Sequence, residues 1–263
     1  MIGSVLARLG EAWLVCAAIQ LVLWVVQERT RNAGIVDVGW AASFTVVAGL
    51  FGITAATPRS SYLPIALVVV VWSTRLASHL VNRGAATGPE EGRYVTLRQR
   101  WALHASRKFL IFFQAQAALA ALLSSAFVIP FVGDPWDSGG MRAFGVSIAV
   151  VGVVGEALSD AQLARWKKDP GNRGKVCDIG LWAYSRHPNY FFEWMVWVGY
   201  ALYGLAFHGG WIAILGQGVI LASIFGVTGI PPTEAQAIQS KGEAYRRYQQ
   251  RVSKFFPLPP KAS

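Results

Sequence analysis

Seven long apolar runs constrain this chain more than any other feature of its sequence. A helix needs about 20 mostly apolar residues to cross a bilayer, and these runs lack the period-two alternation of strands. They predict an all-α integral membrane protein with seven transmembrane helices in one domain, residues 1–263. The runs are roughly Glu11–Gln27, Val36–Ala55, Tyr62–Asn82, Phe109–Val132, Arg142–Ser159, Tyr190–Phe207 and Gly210–Ile230.

The distribution of charge supports a membrane location and predicts an orientation. Charged residues make up only 14% of the chain, against about 25% in soluble domains. The net charge of +10 does not indicate nucleic acid, because 20 of the 24 basic residues follow runs one, three, five and seven. Such an excess marks cytoplasmic segments. We therefore expect the N-terminus outside and the C-terminus in the cytosol, in a bacterial inner membrane or, in a eukaryote, the endoplasmic reticulum.

Ionisable side chains inside the apolar runs are costly and point to functional sites. Asp37 begins the second run, with Trp40 one turn later; the alternative is a carboxylate favoured by the helix dipole. Arg75 and His79 lie one turn apart in the third run, after Trp72. This pair is expected to face an anionic ligand, and the alternative is that Arg75 snorkels to the cytosolic surface.

The fifth run ends in a carboxylate face that continues into a basic cluster. Glu156 and Asp160 are one turn apart, and Arg165 and Lys167 follow them. Carboxylates can hold hydroxyl or amide groups while basic side chains hold phosphates, so this pattern suits a nucleotide. Ordinary basic flanking of a cytosolic helix end would explain the cations but not the two carboxylates.

The sixth run begins within the stretch YSRHPNYFFEW. Pro188 suits the first turn of a helix, and Asn189 and Glu193 fall on one face. Arg186 and His187 precede the helix, where free backbone N–H groups favour anions. The stretch predicts a ligand clamp at the cytosolic membrane surface, although His187 is equally compatible with a structural role.

The polar tail from Thr233 to Ser253 is predicted to be helical. Its Glu234 and Tyr245 either close over a cytosolic cleft or belong to a helix that lies on anionic headgroups. No HExxH or CxxC pattern occurs, so no metal site is expected, and Cys16 and Cys177 are not expected to pair.

From about residue 154 to residue 257 the sequence resembles the steroid 5α-reductase family, and its bacterial members most closely. A weaker match covers the second and third runs, from Ser43 and from Arg75 through Gly84. Seven spans agree with the fold of that family. The residues that carry the stronger match are Glu156, Asp160, Leu163 to Lys167, Pro170, Gly171, Gly180 to Trp182, Asn189, Glu193, Trp197, Glu243, Tyr245, Phe256 and Pro257.

The resemblance implies an NADPH-dependent enzyme that reduces the carbon–carbon double bond of Δ4-3-ketosteroids. It places most cofactor contacts in the C-terminal half of the chain. A preference for NADPH over NADH would need a basic group at the 2′-phosphate, for which Arg173, Lys175 and Arg247 are the candidates. The expected cofactor-binding residues are Arg75, His79, Glu156, Asp160, Arg165, Lys167, Arg173, Lys175, Trp182, Arg186, His187, Asn189, Tyr190, Glu193, Glu234 and Tyr245.

The catalytic positions depart from the family pattern. Hydride attack on an enone leaves negative charge on the ketone oxygen, which needs a hydrogen-bond donor, and eukaryotic members use a Glu and a Tyr. Trp40 and Trp72 stand at those positions here. Asp37 is the nearest acid, and Tyr94, close to two glutamates in sequence, is an alternative phenol. These four residues are the catalytic candidates.

Two other functions remain open. Membrane methyltransferases of the isoprenylcysteine and phospholipid type share an Arg-His-Pro-x-Tyr motif and use S-adenosylmethionine. They usually carry adjacent glutamates in the C-terminal helix, whereas Glu234 and Glu243 are isolated, which favours the reductase. The other function is that of a lipid transporter or sensor. Inverted repeats would support transport, and none stands out. For the reductase we expect a monomer, a steroid-like lipophilic substrate that enters from the bilayer, and no nucleic acid partner.

Overall fold

The computed structural model describes residues 1–226 and 229–261. Over these residues the chain is helical and forms no strand, only two isolated bridges. The α-helices are α1 (Ile2–Thr30), α2 (Ile35–Ile53), α3 (Arg59–Asn82), α4 (Gly92–Trp101), α5 (Ala105–Leu123), α6 (Gly140–Lys168), α7 (Pro188–Leu205), α8 (Ala213–Gly226), α9 (Ile230–Lys241) and α10 (Glu243–Arg251).

The membrane class predicted from the sequence is confirmed. Six helical segments of the described chain are long and apolar enough to cross a membrane, and these are Ile2–Thr30, Ile35–Ile53, Arg59–Asn82, Gly92–Ala126, Gly140–Lys168 and Gly210–Lys241. The predicted sixth span, Tyr190–Phe207, corresponds to α7, which is not among them. Residues 227–228 of the predicted seventh span lie outside the described residues. The count of seven and the orientation stay predictions.

The structure adds detail to the predicted segments at three places. The fifth predicted span ends at Ser159, but α6 continues to Lys168 because the intervening Ala, Gln, Leu, Arg and Lys residues favour helix. The polar tail forms two helices rather than one, because Gly242 adopts a φ of 55° that breaks the helix. Helix α4 is too short and polar to resemble a span, so hydropathy did not indicate it.

Two compact units can be distinguished, and the first contains residues 1–142 and 201–216. Within it, aromatic side chains of α2 and α3 pack edge to face. The ring centroids of Trp40 and Phe44 are 5.0 Å apart, those of Phe44 and Trp72 are 5.5 Å apart, and those of Trp40 and Trp72 are 6.5 Å apart. This packing fixes the helix face that carries Asp37 one turn before Trp40.

The second unit contains residues 143–200 and 217–263. Here α6 and α7 approach closely through glycines, as small residues allow in membrane helices. A Cβ on Gly152 would lie 2.7 Å from the Val196 nitrogen, and one on Gly155 would lie 2.2 Å from the Phe192 ring. Because later residues of α6 meet earlier residues of α7, the helices run antiparallel. The end of α6 that carries Asp160 therefore lies level with the start of α7.

Candidate functional site

A carboxylate and a phenol meet directly in the first unit. The Tyr94 hydroxyl donates a hydrogen bond to Oδ2 of Asp37 at 2.9 Å. Tyr94 is fully buried, whereas the Asp37 side chain is 21% exposed. Two residues that the sequence offered as alternative acids are therefore one hydrogen-bonded pair, with Asp37 as its accessible member.

Arg93, which sequence reasoning did not select, also contacts Asp37. Its guanidinium donates to the same carboxylate oxygen of Asp37 and lies 4.5 Å from the centre of the Tyr94 ring. Arg93 itself is about half exposed. Asp37 therefore has a phenol on its buried side and a cation on its solvent side.

The pair is held by contacts between two turns that are far apart in sequence. The Asn32 side chain donates to the Gly88 carbonyl at 2.9 Å, and the Ala33 N–H donates to Glu90 at 2.8 Å. Arg98 binds the same Glu90 carboxylate at 2.7 Å. Burial alone would raise the pKa of Glu90, but the hydrogen bonds from Arg98 and Ala33 outweigh it and hold that pKa below its usual value. These contacts anchor the start of α4, and hence Tyr94, beside α2.

The two tryptophans proposed as catalytic occupy the aromatic packing described above. Trp72 is fully buried, and Trp40 is partly buried against Leu80 and Ala85. The indole N–H of Trp40 is buried and has no hydrogen-bond partner among the described residues. Neither ring can supply an acidic proton, so the catalytic roles that remain for them are apolar walls and, for Trp40, an N–H donor.

Two of the cofactor candidates lie on α3. Arg75 and His79 lie one turn apart, and both are partly buried in the first unit. Their contact with a cofactor stays a prediction.

Arg186 anchors the C-terminal tail within the second unit. Its Nε donates to Oε1 of Glu234 at 2.7 Å, and its Nη1 donates to the carbonyls of Gln249 and Val252 at 2.9 and 2.8 Å. The residue is only 9% exposed. The guanidinium that the sequence assigned to an anionic ligand is thus engaged by a protein carboxylate and two backbone oxygens, while its cofactor contact stays untested.

Glu234 also holds His187 and the last helix. His187 Nε2 lies 3.3 Å from Oε1 of Glu234, and the Gln249 amide donates to Oε2 at 3.0 Å. Burial lowers the pKa of His187 below its usual value, although the neighbouring Glu234 opposes this shift. Glu234 therefore ties the start of α7 to α10, which sequence spacing alone could not indicate.

Acidification should destabilise the protein through His187. The pKa of His187 in the folded protein lies below the unfolded value of about 6.5. The stability that neutral, buried His187 contributes is therefore fully present above about pH 6.5, and it is lost as the pH falls through the folded pKa. We expect thermal unfolding in detergent to show a loss of stability as the pH falls below about 6.5, and a smaller loss in His187→Asn. The control is His104→Asn, which alters an exposed histidine; identical pH profiles for all three proteins would contradict this role.

Trp182 and Tyr245 are also buried in the second unit. The Trp182 indole donates to the Ser159 carbonyl at 3.0 Å, and its own carbonyl accepts from the Tyr248 hydroxyl at 2.5 Å. Tyr245 packs with Tyr248 in a small apolar cluster, where burial raises its pKa. The loop before α7 is therefore fixed between α6 and α10.

The remaining predicted residues lie at the facing ends of α6 and α7. Glu156 and Asp160 are 3% and 9% exposed on α6, and Asn189 and Glu193 are partly buried in the first turns of α7. Tyr190 stacks on the His187 ring, with centroids 5.6 Å apart. The antiparallel packing of these helices thus brings the predicted carboxylates and amide to one end of the second unit.

A basic cavity of about 490 Å³ adjoins the end of α6. Its lining includes three of the predicted cofactor-binding residues, Lys167, Arg173 and Lys175. Lys241, at the end of α9, also lines the cavity. Arg165 is exposed on α6 and is not part of the lining. Sequence reasoning missed Lys241, because its approach depends on how α9 folds back. In the described part of the chain, no group of three or more His, Cys, Asp or Glu side chains could hold a metal ion.

The helices and polar residues define a multi-pass helical membrane protein. The chain belongs to the family described as protein of unknown function DUF1295, whose model matches residues 23–252. It is similar to an uncharacterized protein of Schizosaccharomyces pombe, with 25% identity over an alignment of 268 residues that covers 90% of this chain and 76% of that protein. No solved structure matches the chain.

Proposed function

We propose that the protein is an NADPH-dependent membrane reductase acting on the carbon–carbon double bond of a lipophilic enone, such as a Δ4-3-ketosteroid. The hydrogen-bonded pair of Asp37 and Tyr94 carries this proposal. A carboxyl–phenol pair would serve as the hydrogen-bond donor that the reaction needs at the ketone oxygen. The resemblance to the steroid 5α-reductase family supplies the reaction class.

The pair has the properties of a proton donor with a stabilised conjugate base. Asp37 is its accessible member, so the substrate carbonyl would meet this carboxyl group, which receives its proton from solvent. After Asp37 gives its proton to the ketone oxygen, the Tyr94 hydroxyl and the Arg93 guanidinium stabilise the carboxylate that remains. The resulting enol then takes a solvent proton at the α-carbon and returns its hydroxyl proton to Asp37, which gives the saturated ketone. Exclusion of water by the surrounding aromatic rings would strengthen these interactions.

Basic, acidic and amide side chains of the second unit support NADPH as the cofactor. NADPH, when bound, supplies the hydride that is added to the β-carbon of the enone. Lys167 and the other cations of the basic cavity suit its phosphates, because the described residues provide them with no ion-pair partner. Asp160, Glu193 and Asn189 offer the carboxylates and amide that hydroxyl and carboxamide groups require.

The proposal also includes the topology inferred from charge. Helix α7 has 18 residues, which is near the lower limit for a span, and it would complete a set of seven. The N-terminus would then lie outside and the C-terminus in the cytosol. We propose a monomer in the bacterial inner membrane, or in the endoplasmic reticulum of a eukaryote.

Thermal unfolding of the purified protein in detergent tests the cofactor. NADPH at a hundred times its Kd should stabilise the protein by about 2.7 kcal/mol, and S-adenosylmethionine at the same concentration should not. Glu193→Gln should weaken the NADPH effect. Stabilisation by S-adenosylmethionine alone would overturn the proposal in favour of the methyltransferase, and stabilisation by neither would leave the transporter or sensor as the better account.

A further inference from the structure

The basic cavity combines positive charge with an aromatic ring. Lys167, Lys168, Arg173, Lys175 and Lys241 line it together with Trp166. Lys167 and Lys168 end α6, Arg173 and Lys175 lie in the loop between α6 and α7, and Lys241 ends α9. Five cationic side chains from two separate parts of the second unit therefore converge on one cavity.

The protein does not neutralise this charge itself. None of the five cations forms an ion pair or a side-chain hydrogen bond in the part of the chain that the structure describes. Asp169 is the one carboxylate in the lining, and its Oδ1 accepts the Gly171 N–H at 2.8 Å in its own turn. Like charges repel one another at this range, so an anion placed among them would be bound favourably.

Packing of the loop against α9 fixes the approach of Lys241. Val176 packs into the apolar cluster of Tyr245 and Ile238. The next residue, Cys177, is 3% exposed and lies close enough to Lys167 and Lys241 to feel both charges. The convergence of the two lysines therefore follows from buried apolar contacts rather than from long side chains in solvent.

Trp166 indicates that the ligand contains more than a phosphate. Its indole N–H is buried and has no hydrogen-bond partner among the described residues, and its ring forms part of the cavity lining. An indole donates only through this N–H, and its face can stack on a base. A phosphorylated nucleoside would satisfy both the ring and the cations.

We infer that this cavity binds the phosphomonoester of a phosphorylated nucleoside. The phosphate is held by Lys167, Arg173, Lys175 and Lys241, and Trp166 lies beside the ring of the nucleoside. A phosphomonoester has a charge of about −1.5 to −2 at neutral pH, which suits several cations better than a singly charged diester does. The identification of this group with the 2′-phosphate of NADPH rests on the proposed function. The headgroup of phosphatidic acid offers the same phosphomonoester from the bilayer, but no ring for Trp166.

Paired ligands that differ in one phosphate test the inference. Binding of NADPH and NADH, and of 2′,5′-ADP and 5′-AMP, is measured by calorimetry in detergent. Charge-assisted hydrogen bonds should give the 2′-phosphorylated member a ten- to hundredfold advantage, roughly. Lys241→Gln should reduce this advantage about tenfold. The matched control is Lys261→Gln, which removes the same charge from a residue outside the cavity lining.

The outcomes separate this site from the reductase proposal. If stabilisation in nanodiscs depends on phosphatidic acid, is absent with phosphatidylglycerol and is lost in Lys241→Gln, the phosphomonoester site stands with a lipid source. If NADPH and NADH bind equally and both support enone reduction, the reductase stands and the inference is overturned. Unchanged selectivity in Lys241→Gln would overturn it as well.

Discussion

Arg186→Ala should destabilise the second unit by about 3–5 kcal/mol, the usual cost of removing one partner from a buried ion pair. The substitution leaves the Glu234 carboxylate without its 2.7 Å donor and also frees the carbonyls of Gln249 and Val252. Because these acceptors lie on the C-terminal helices, α9 and α10 should loosen before the rest of the unit unfolds. Thermal unfolding and trypsin cleavage after Lys241 and Arg246 measure the two effects.

Two variants separate this anchor from a general effect of charge. Arg186→Lys keeps the charge but cannot donate to three acceptors in the same geometry, so it should recover only part of the stability. Arg251→Ala removes an ion pair to Asp178 at 3.1 Å in which both side chains are more than 40% exposed, and should cost less than about 1 kcal/mol. Equal stability of Arg186→Ala and Arg251→Ala would contradict the anchoring role.

The anchor illustrates what a sequence pattern can and cannot predict. The stretch around Pro188 correctly indicated a helix start preceded by cations, because proline and free N–H groups have local consequences. It did not reveal that Glu234 and the carbonyls after it fold back onto Arg186. That contact depends on the turn at Gly242 and on the packing of Tyr245 and Tyr248, which act between segments far apart in the chain.

The candidate acid was predictable only in part for the same reason. The second apolar run placed Asp37 at the start of a span, and the cost of a carboxylate in a bilayer marked it as functional. Tyr94 was a candidate on the separate ground of its residue type. Their pairing requires the hydrogen bonds from Asn32 to Gly88 and from Ala33 to Glu90, and neither bond leaves a signal in hydropathy.

Asp37→Asn and Tyr94→Phe should each lower kcat by about 10²- to 10⁴-fold, the usual contribution of a positioned acid. The first substitution removes the proton donor, and the second removes the hydroxyl that stabilises its carboxylate. Affinity for NADPH should not change. Because the two groups act as one unit, the double variant should be little slower than Asp37→Asn alone.

Tyr203→Phe is the matched control for the loss of a buried phenol. Its hydroxyl donates to the Ser61 carbonyl at 2.8 Å in the same unit, and it has no part in the proposed reaction. The variant should lose about 1 kcal/mol of stability and keep its kcat. A rate loss in Tyr203→Phe as large as that in Tyr94→Phe would contradict a specific role for the pair.

A reductase of this kind should transfer deuterium from labelled NADPH to the steroid. The protein in nanodiscs is supplied with a Δ4-3-ketosteroid and NADPH carrying deuterium at C4 of the nicotinamide, and the product is analysed by mass spectrometry and NMR. We predict one deuterium at the β-carbon and one solvent proton at the α-carbon, with turnover strongly reduced in Asp37→Asn. Absence of deuterated product, together with methyl transfer from S-adenosylmethionine to a lipid acceptor, would contradict the account.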